Sequence, residues 1–323
     1  GASITPSKEI LNKSQILVKI QLPLSDEVKE MQSGSILVSQ VDVNTNQEII
    51  KSLNTKKISV FALERIPRIT RAQNMDILSS QANLAGYHAV IDAASEFNRV
   101  LPMFMTAAGK INPANVLVVG AGVAGLQAIA TAKRMGAKVE AFDTRSVVAE
   151  QVQSVGGKFI EIDLGETGQT KDGYANALTP EQIELQQQGM KDVISKSDIV
   201  ITTAQLFGRP APLIVNGDMV AAMKPGSVIV DMAVGTGGNV EGSVVDETVD
   251  VNGVSIIGVS NLPSEMATDA SQMYSSNLFN LVTEFWNEEE KSFNLNMEDD
   301  ILQACVITHD GALVNETIKS IRS

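Results

Sequence analysis

A glycine-rich turn carries the clearest chemical signal in this sequence. Gly120, Gly122 and Gly125 form a G-x-G-x-x-G pattern, which follows the apolar run 116–119 and precedes an alanine-rich stretch with helical spacing. In a dinucleotide fingerprint the first glycine permits a tight turn, the second lets the backbone approach a pyrophosphate, and the third allows close packing of helix on strand. The pattern therefore predicts a nucleotide site.

Two further features extend this prediction. The helix predicted at 126–135 would offer the free N–H groups and the positive dipole end of its N-terminus to the phosphates. The next predicted strand ends at Asp143, about 20 residues after the glycines, where an acid accepts hydrogen bonds from the adenosine ribose. An acid there also repels a 2′-phosphate, which favours NAD(H) over NADP(H). Arg145 opposes this because an arginine can bind that phosphate, but Asp143 occupies the strand end itself.

Strands and helices alternate around this motif, which predicts an α/β protein with parallel sheets. The predicted strands are 16–20, 36–39, 58–62, 116–119, 138–142, 158–162, 198–203, 227–232 and 255–259, and the main predicted helices are 46–53, 75–97, 180–197 and 264–286. Thr203 and Ala204 end one of these strands, and ligands lie at the carboxyl edges of such sheets. Towards the end of the chain we expect a polar linker at 287–296. A hairpin turning at Asp310-Gly311 should follow, between the apolar runs 302–307 and 312–314.

Composition excludes several classes of function. The net charge of −13 argues against nucleic acid and against anionic membrane surfaces. The 323 residues contain no apolar run of membrane-spanning length. The single cysteine, Cys305, has apolar neighbours, which is typical of a packed thiol in a reducing compartment. Neither His88 nor His309 is placed as an obvious catalyst, and no metal site is expected.

The segment 65–81 concentrates arginine, amide, acidic and hydroxyl side chains at the start of a predicted helix. One interpretation is a capped helix start with solvated charges. The other is a polar wall that faces the nicotinamide end of the nucleotide across an interdomain cleft. The glycine-rich loop 163–179 also allows two interpretations, a lid over the nucleotide or a plain connector.

Several runs resemble the NAD(H)-binding component of proton-translocating nicotinamide nucleotide transhydrogenase, and the related soluble family is alanine dehydrogenase. The matching runs are 67–87, 120–130, 172–175, 202–204, 208–212, 223–229 and 237–239. The resemblance implies two Rossmann-like domains with parallel sheets and a cleft between them. Residues 1–77 and 271–323 would form a discontinuous first domain, without the strand and helix that open the family. Residues 78–270 would form the NAD(H)-binding domain.

The resemblance also implies roles for individual residues. Its nicotinamide-side contacts, which we expect to be the catalytic set, are Arg68, Gln73, Asp76 and Ser79. Its cofactor-binding positions are Gly120, Gly122, Val123, Ala124, Gly125, Asp143, Thr144, Arg145, Gly173, Tyr174, Thr203 and Ala204, with Tyr174 on a mobile loop that folds over bound nucleotide.

The same resemblance implies partners and a location. NAD(H) would bind this chain and NADP(H) a separate domain, with hydride transfer coupled to proton translocation by a membrane domain. We expect a homodimer that is a soluble, peripheral part of a membrane enzyme, on the bacterial cytoplasmic or organellar matrix side. No nucleic acid and no membrane insertion of this chain are expected.

Two alternatives remain. An alanine dehydrogenase needs a proton donor and cationic groups for its substrate carboxylate. In that family the catalytic histidine, the substrate lysine and the catalytic aspartate fall at Gln40, Gln21 and Gly235 of this chain. A non-catalytic NAD-binding module is the other alternative. A direct transfer between two nicotinamides needs only approach and alignment, which fits a polar site without histidine.

The loop carrying Tyr174 generates a first testable prediction. Gly165, Gly168 and Gly173 make the free loop entropically costly to order. If nucleotide orders this loop, hydrogen exchange between Gly165 and Leu178 should slow on addition of NADH. Unchanged exchange at saturating NADH would identify the segment as a plain connector.

Overall fold

The computed structural model describes residues 1–165, 167–169, 175–205, 209–316, 318 and 319. The chain divides into two compact units, the first comprising residues 1–78 and 272–323 and the second comprising residues 79–271. Within the described residues, no helix is both long enough and apolar enough to cross a membrane.

The helices are α1 Ser7–Lys13, α2 Ser25–Glu30, α3 Gln47–Thr55, α4 Ile77–Glu96, α5 Val123–Arg134, α6 Ala149–Ser154, α7 Pro180–Lys196, α8 Gly217–Ala221, α9 Ala267–Phe285 and α10 Asp300–Cys305. The strands are β1 Ile16–Val18, β2 Ile36–Ser39, β3 Ser59–Ala62, β4 Phe104–Thr106, β5 Gly109–Ile111, β6 Asn115–Val119, β7 Lys138–Phe142, β8 Lys158–Phe159, β9 Ile199–Thr202, β10 Val228–Asp231, β11 Glu247–Val251, β12 Val254–Gly258, β13 Trp286–Asn287, β14 Ser292–Phe293, β15 Val306–His309 and β16 Ala312–Leu313.

The first unit contains a sheet in the order β1-β2-β3-β15-β16. Strands β1, β2 and β3 are parallel, as their alternation with helices predicts. Strand β15 runs antiparallel to β3 and pairs with β16 across the predicted turn. Asp310 and Gly311 have φ of 49° and 78°, and this pair of positive values is what a two-residue type I′ hairpin turn requires.

The end of the chain corrects two predictions. The first arm of the hairpin starts only at Val306, because residues 300–305 form α10, whose first N–H groups are capped by the Asp299 carboxylate. The predicted polar linker is also wrong, since β13 and β14 form a small hairpin within it. Phe293 on β14 packs edge-on against Phe61, with ring centroids 5.5 Å apart, so an apolar contact orders a mostly polar segment.

The second unit contains a Rossmann-like sheet in the order β11-β12-β10-β9-β6-β7-β8. The six strands from β12 to β8 are parallel, which confirms the predicted fold class. Of these parallel strands, β6 comes first in the chain and lies in the middle of the sheet. The chain then adds β7 and β8 on one side of β6, and afterwards β9, β10 and β12 on the other side. The order reverses between β6 and β9, and open α/β sheets bind ligands at the carboxyl edge of such a point.

The antiparallel strand β11 was missed by the sequence analysis. Its residues are exposed or half-buried and include Glu247 and Asp250, so it lacks the apolar pattern of the buried strands. The strand predicted at 158–162 is also shorter than expected and forms only the two-residue β8.

The core of the second unit lies on both faces of its sheet. Val116 and Val118 of β6 belong to one buried cluster, and Leu117 and Val119 belong to another. Successive side chains of a strand point to opposite faces. A strand that is buried on both faces therefore reads as a continuous apolar run, which is why β6 is legible in the sequence.

Helix α4 makes an unusually close backbone contact with the start of α5. A methyl group on Gly86 would lie 2.0 Å from the carbonyl oxygen of Ala124, in the first turn of α5. No side-chain rearrangement can relieve such a contact, because the neighbouring atoms belong to the backbone.

This contact predicts the effect of Gly86→Ala. Alanine is the better helix former by about 1 kcal/mol, but forcing α4 away from α5 should cost more, for a net loss of about 1–3 kcal/mol of unfolding free energy. Urea denaturation measures it. In the control Gly189→Ala, the three atoms nearest to the new methyl, at 2.9–3.0 Å, all belong to the Ile162 side chain, which can shift, so stability should change by less than about 1 kcal/mol. Equal unfolding free energies for the two variants would show that the close α4–α5 contact does not determine the effect of a methyl group at position 86.

Candidate functional site

The glycine turn lies between β6 and α5, at the carboxyl edge of the second sheet. Gly120 has a φ of 98°, which disfavours any other residue, and a methyl group there would lie 2.5 Å from the Thr203 hydroxyl. A methyl group on Gly125 would lie only 1.8 Å from the Gly120 carbonyl oxygen. These two positions require glycine because strand and helix meet without space between them.

Gly122 differs from its two neighbours in the motif. Among the residues that the structure describes, an added methyl group there would meet no atom within 4 Å, so the described part of the chain leaves this position open. Gly122 is also the residue before α5, and no side chain within the described chain caps this helix. The first N–H groups of the twelve-residue helix, at Val123 and Ala124, therefore border an open cradle that fits a phosphate group.

Asp143 follows β7 directly and is almost completely buried, with 9% of its surface exposed. Its Oδ2 accepts a hydrogen bond from the Ala121 N–H at 2.7 Å, which joins the end of β7 to the glycine turn. Its Oδ1 accepts from the Arg145 N–H at 2.8 Å. The strand-end acid is thus hydrogen-bonded directly to the glycine turn.

The Arg145 side chain turns back onto Asp143 in a two-point ion pair. Its Nε donates to Oδ1 at 2.9 Å, and its terminal nitrogen donates to Oδ2 at 2.7 Å. Hydrogen bonding to Asp143 raises the pKa of the Arg145 guanidinium above its usual range. Together with the two backbone donors, these bonds use all of the approximately four acceptor positions of a carboxylate. The Asp143 carboxylate therefore has a full set of donors in this structure.

Thr203 and Ala204 follow β9 on the other side of β6. The Thr203 hydroxyl donates to the Gly120 carbonyl at 3.1 Å and lies 3.3 Å from the Val119 carbonyl, which ties this strand end to the glycine turn. Both backbone polar groups of Ala204 are hydrogen-bonded to the Asn239 side chain. Because both backbone groups are already hydrogen-bonded, a ligand beside Ala204 would contact its methyl group.

The polar segment at 68–76 lies in the first unit and contains a 3₁₀ turn, Thr70–Met75. Helix α4 begins at Ile77, two residues later than expected, so Asp76 precedes the helix instead of lying in its first turn. Arg68 and Gln73 are exposed, and Asp76 is half-buried. Ser79, also half-buried, lies in the first turn of α4 and opens the second unit.

Arg71 and Asn74 help to anchor this segment to the rest of the first unit. Arg71 pairs with Glu284 at 2.9 Å and with Asp299 at 2.7 Å, and these bonds raise the pKa of its guanidinium. The Asn74 carbonyl accepts from the side-chain amide of Asn277 at 2.8 Å. Within the turn, Ala72 and Met75 are buried. These contacts fix the turn, so the exposed Gln73 has a defined position. A helix start with only solvated charges would not fix it in this way.

The cysteine and the two histidines of the chain each contact neighbouring protein groups. Burial raises the pKa of the Cys305 thiol to about 12, which rules out a thiolate near neutral pH and confirms the packed thiol. His88 pairs with Asp92 in α4, and His309 lies 2.9 Å from the Ser59 hydroxyl. No cluster of metal-ligating side chains occurs in the portion of the chain that the structure describes. Gly173 and Tyr174 lie outside that portion.

The three positions at which the resemblance would place alanine dehydrogenase catalytic and substrate-binding residues lack ionisable groups here. Gln21 is exposed and Gln40 is half-buried after β2. Gly235 lies in a 3₁₀ turn, Val234–Thr236, where an added methyl would make only an ordinary 3.6 Å contact with Ser260. The turn thus has space for a Cβ, and what position 235 lacks is an ionisable group.

One buried polar cluster was not identified from the sequence. Asp231, at the end of β10, and Asn239 are both fully buried, and their side chains organise the loop between them. The strand-end position of Asp231 was the available signal, since polar residues there mark the ligand-binding edge of a parallel sheet.

Comparison with known proteins places this geometry in a family. Residues 1–85 match the model described as "Alanine dehydrogenase/PNT, N-terminal domain", and residues 89–316 match the corresponding C-terminal domain. The chain is 44% identical over 326 residues to the first segment of a split NAD(P) transhydrogenase subunit alpha from Rhodospirillum rubrum, covering 98% of this chain and 85% of that one. It is 46% identical over 316 residues to NAD(P) transhydrogenase subunit alpha of Haemophilus influenzae, covering 96% of this chain but 61% of that one.

Solved structures agree with the sequence matches. A crystal structure of transhydrogenase from Sinorhizobium meliloti has a TM-score of 0.83 and 44% identity, covering 95% of this chain and 83% of that one. An L-alanine dehydrogenase has a TM-score of 0.80 at 23% identity, covering all of this chain and 84% of that one, and shares the fold. The resemblance predicted from the motifs is confirmed: this chain belongs to the alanine dehydrogenase/PNT family.

Proposed function

We propose that this chain is the NAD(H)-binding component of a proton-translocating transhydrogenase. The observation that carries the proposal is the open cradle at Gly122, bordered by the start of α5 and by Asp143. The identities of 44–46% to chains named NAD(P) transhydrogenase subunit alpha support the same function.

The order of the strands supports one placement of the cofactor. Strand β6 ends at the glycine turn, where the α5 N-terminus suits a pyrophosphate. Strand β7 lies on one side and ends at Asp143, which suits the adenosine ribose. Strand β9 lies on the other side, so its end at Thr203 and Ala204 would border the nicotinamide half.

Asp143 and Arg145 would together favour NAD(H). Because the carboxylate already has four donors, a ribose diol has to replace part of the Arg145 guanidinium on Asp143. The diol can do so, since its hydroxyls are donors to a carboxylate. A 2′-phosphate has no such donor and would be repelled by Asp143, so the ion pair resists it.

The polar segment supports direct hydride transfer rather than acid–base chemistry. Bound NADH supplies a hydride from its dihydronicotinamide ring. Arg68, Gln73, Asp76 and Ser79 would hold this ring in position for NADP⁺ on a separate domain, and none of them needs to gain or lose a proton. Approach and alignment are worth many orders of magnitude in rate when two reactants must meet in one geometry.

Two functions compete with this proposal. Alanine oxidation is disfavoured because Gln21, Gln40 and Gly235 offer neither a proton acceptor nor a cation for a carboxylate. A non-catalytic NAD-binding module would bind NADH but never oxidise it. NADH oxidation that occurs only with the cognate NADP(H)-binding domain present would support the proposal, and oxidation driven by pyruvate and ammonia would refute it.

Further elements of the proposal concern assembly. This chain would act as a homodimer beside an NADP(H)-binding domain and a proton-translocating membrane domain. It would lie at the bacterial cytoplasmic or organellar matrix face of that membrane domain, without entering the bilayer. Within the chain, the second unit would be the NAD(H)-binding domain.

The ion pair at the ribose position predicts the cofactor preference. Wild-type protein should bind NADH at least about tenfold more tightly than NADPH, because hydrogen bonds to a charged group contribute about 1.5–3 kcal/mol. Asp143→Asn removes the charge and releases Arg145, so calorimetry should show weaker NADH binding and a smaller preference. Asp218→Asn, an exposed acid in α8, is the control and should bind like wild type. Equal wild-type affinities for the two nucleotides would refute this role of Asp143.

Gln73 tests the proposed catalytic segment. Gln73→Asn shortens the side chain by one methylene and should misplace the nicotinamide by about 1 Å, which can cost about 10²-fold in rate. NADH affinity should change far less, because the cradle and Asp143 are untouched. The measurements are the dissociation constant for NADH and the single-turnover hydride-transfer rate with the partner domain.

The matched control for Gln73 is Gln32→Asn, the same change at an exposed glutamine of the first unit. This variant should match wild type in both measurements. If Gln73→Asn also stayed within about twofold of wild type at similar affinity, residue 73 would have no role in positioning the ring.

A further inference from the structure

Asn239 connects three segments of the second unit through one fully buried carboxamide. Its Oδ1 accepts from the Ala204 N–H at 3.0 Å. Its Nδ2 donates to the carbonyl oxygens of Ala204 at 2.9 Å and Pro212 at 2.8 Å. The orientation of the amide is determined, because a reversed amide would set donor against donor and acceptor against two acceptors.

The backbone of Asn239 is held as firmly as its side chain. Its N–H donates to the Asp231 carboxylate at 3.0 Å, and its carbonyl accepts from the N–H groups of Ile214 and Val215, each at 2.9 Å. Asp231 also accepts from the Thr202 hydroxyl at 3.2 Å. The network thus runs from β10 through the loop to the end of β9.

The network determines where the residues that follow β9 lie. Asn239 satisfies both backbone groups of Ala204 as a neighbouring strand would, and so fixes the chain just beyond the end of β9. With pyrophosphate at β6 and adenosine ribose at β7, the end of β9 is the portion of the edge that borders the nicotinamide half. The position of Ala204 would therefore set one wall beside the ring.

We propose that Asn239, held by Asp231, is a positioning residue for hydride transfer. It acts through Ala204 and does not touch the cofactor. This inference rests on the proposed function, and it predicts that Asn239 affects alignment of the ring more than affinity for the nucleotide.

Two variants test the inference. Asn239→Asp keeps the size of the side chain, but its carboxylate has no donor for the carbonyls of Ala204 and Pro212. Asn239→Ser removes the bridge without adding charge, and it decides the question if the aspartate variant does not fold. The control is Asn216→Asp, the same change at the N-cap of α8, where Asn216 accepts from the Met219 N–H and aspartate caps equally well.

The assay uses the chain together with its cognate NADP(H)-binding domain. Calorimetry gives the dissociation constant for NADH, and stopped-flow absorbance gives the single-turnover rate per bound NADH. For both Asn239 variants we expect affinity within about threefold of wild type and a rate about 30-fold lower, since small misalignments of reacting groups have effects of this size. The control should match wild type in both measurements.

Two results would overturn the inference. A rate per bound NADH within about threefold of wild type would show that Asn239 only supports folding. If the affinity for NADH fell by as large a factor as the rate, Asn239 would support nucleotide binding in general rather than alignment of the ring. Failure of the proposed function is distinguishable, because wild type itself would then bind no NADH or transfer no hydride.

Discussion

The close approach of helix α5 to the end of strand β6 is the constraint on which the second unit depends. The Gly120 carbonyl occupies the space that any side chain at position 125 would need. On the outer side of α5, Gly86 brings helix α4 against the Ala124 carbonyl in the same way. The first turn of α5 is thus held by backbone contacts on two sides. Of the three glycines in the turn, Gly122 is the one at which an added methyl group would contact none of the described residues.

Electrostatics at this edge are arranged around a single buried carboxylate. Asp143 joins the glycine turn to β7 through Ala121, and it carries the Arg145 guanidinium as an internal counterion. A buried charge without a partner is costly, and the ion pair removes that cost in the absence of a ligand. Under the proposed function, a ribose diol would replace part of the guanidinium on Asp143. In the structure, the arginine that opposed NAD(H) preference in the sequence analysis is hydrogen-bonded to Asp143.

The two proposed positioning elements are the 3₁₀ turn that carries Gln73 and the buried amide of Asn239, and they differ in how they are built. In the first unit, the ion pairs of Arg71 and the carbonyl of Asn74 hold a short 3₁₀ turn and leave Gln73 at the surface. In the second unit, the amide of Asn239 locks the backbone of Ala204. Neither device contains a group that must change its protonation state. Chemistry that depends on the alignment of two rings needs rigidity of this kind more than it needs acids and bases.

The sequence by itself determined the features that depend on neighbouring residues. The glycine turn, the strand-end Asp143 and the Asp310-Gly311 hairpin each express a constraint that acts over a few residues. Tertiary structure decided which distant residues meet, as Gly86 meets Ala124. The contacts of Asn239 with Ala204 and Pro212 and the packing of Phe293 on Phe61 were likewise not legible in the sequence. Their residues are ordinary in local pattern, and their roles follow from partners far along the chain, since packing in three dimensions leaves no periodic signal.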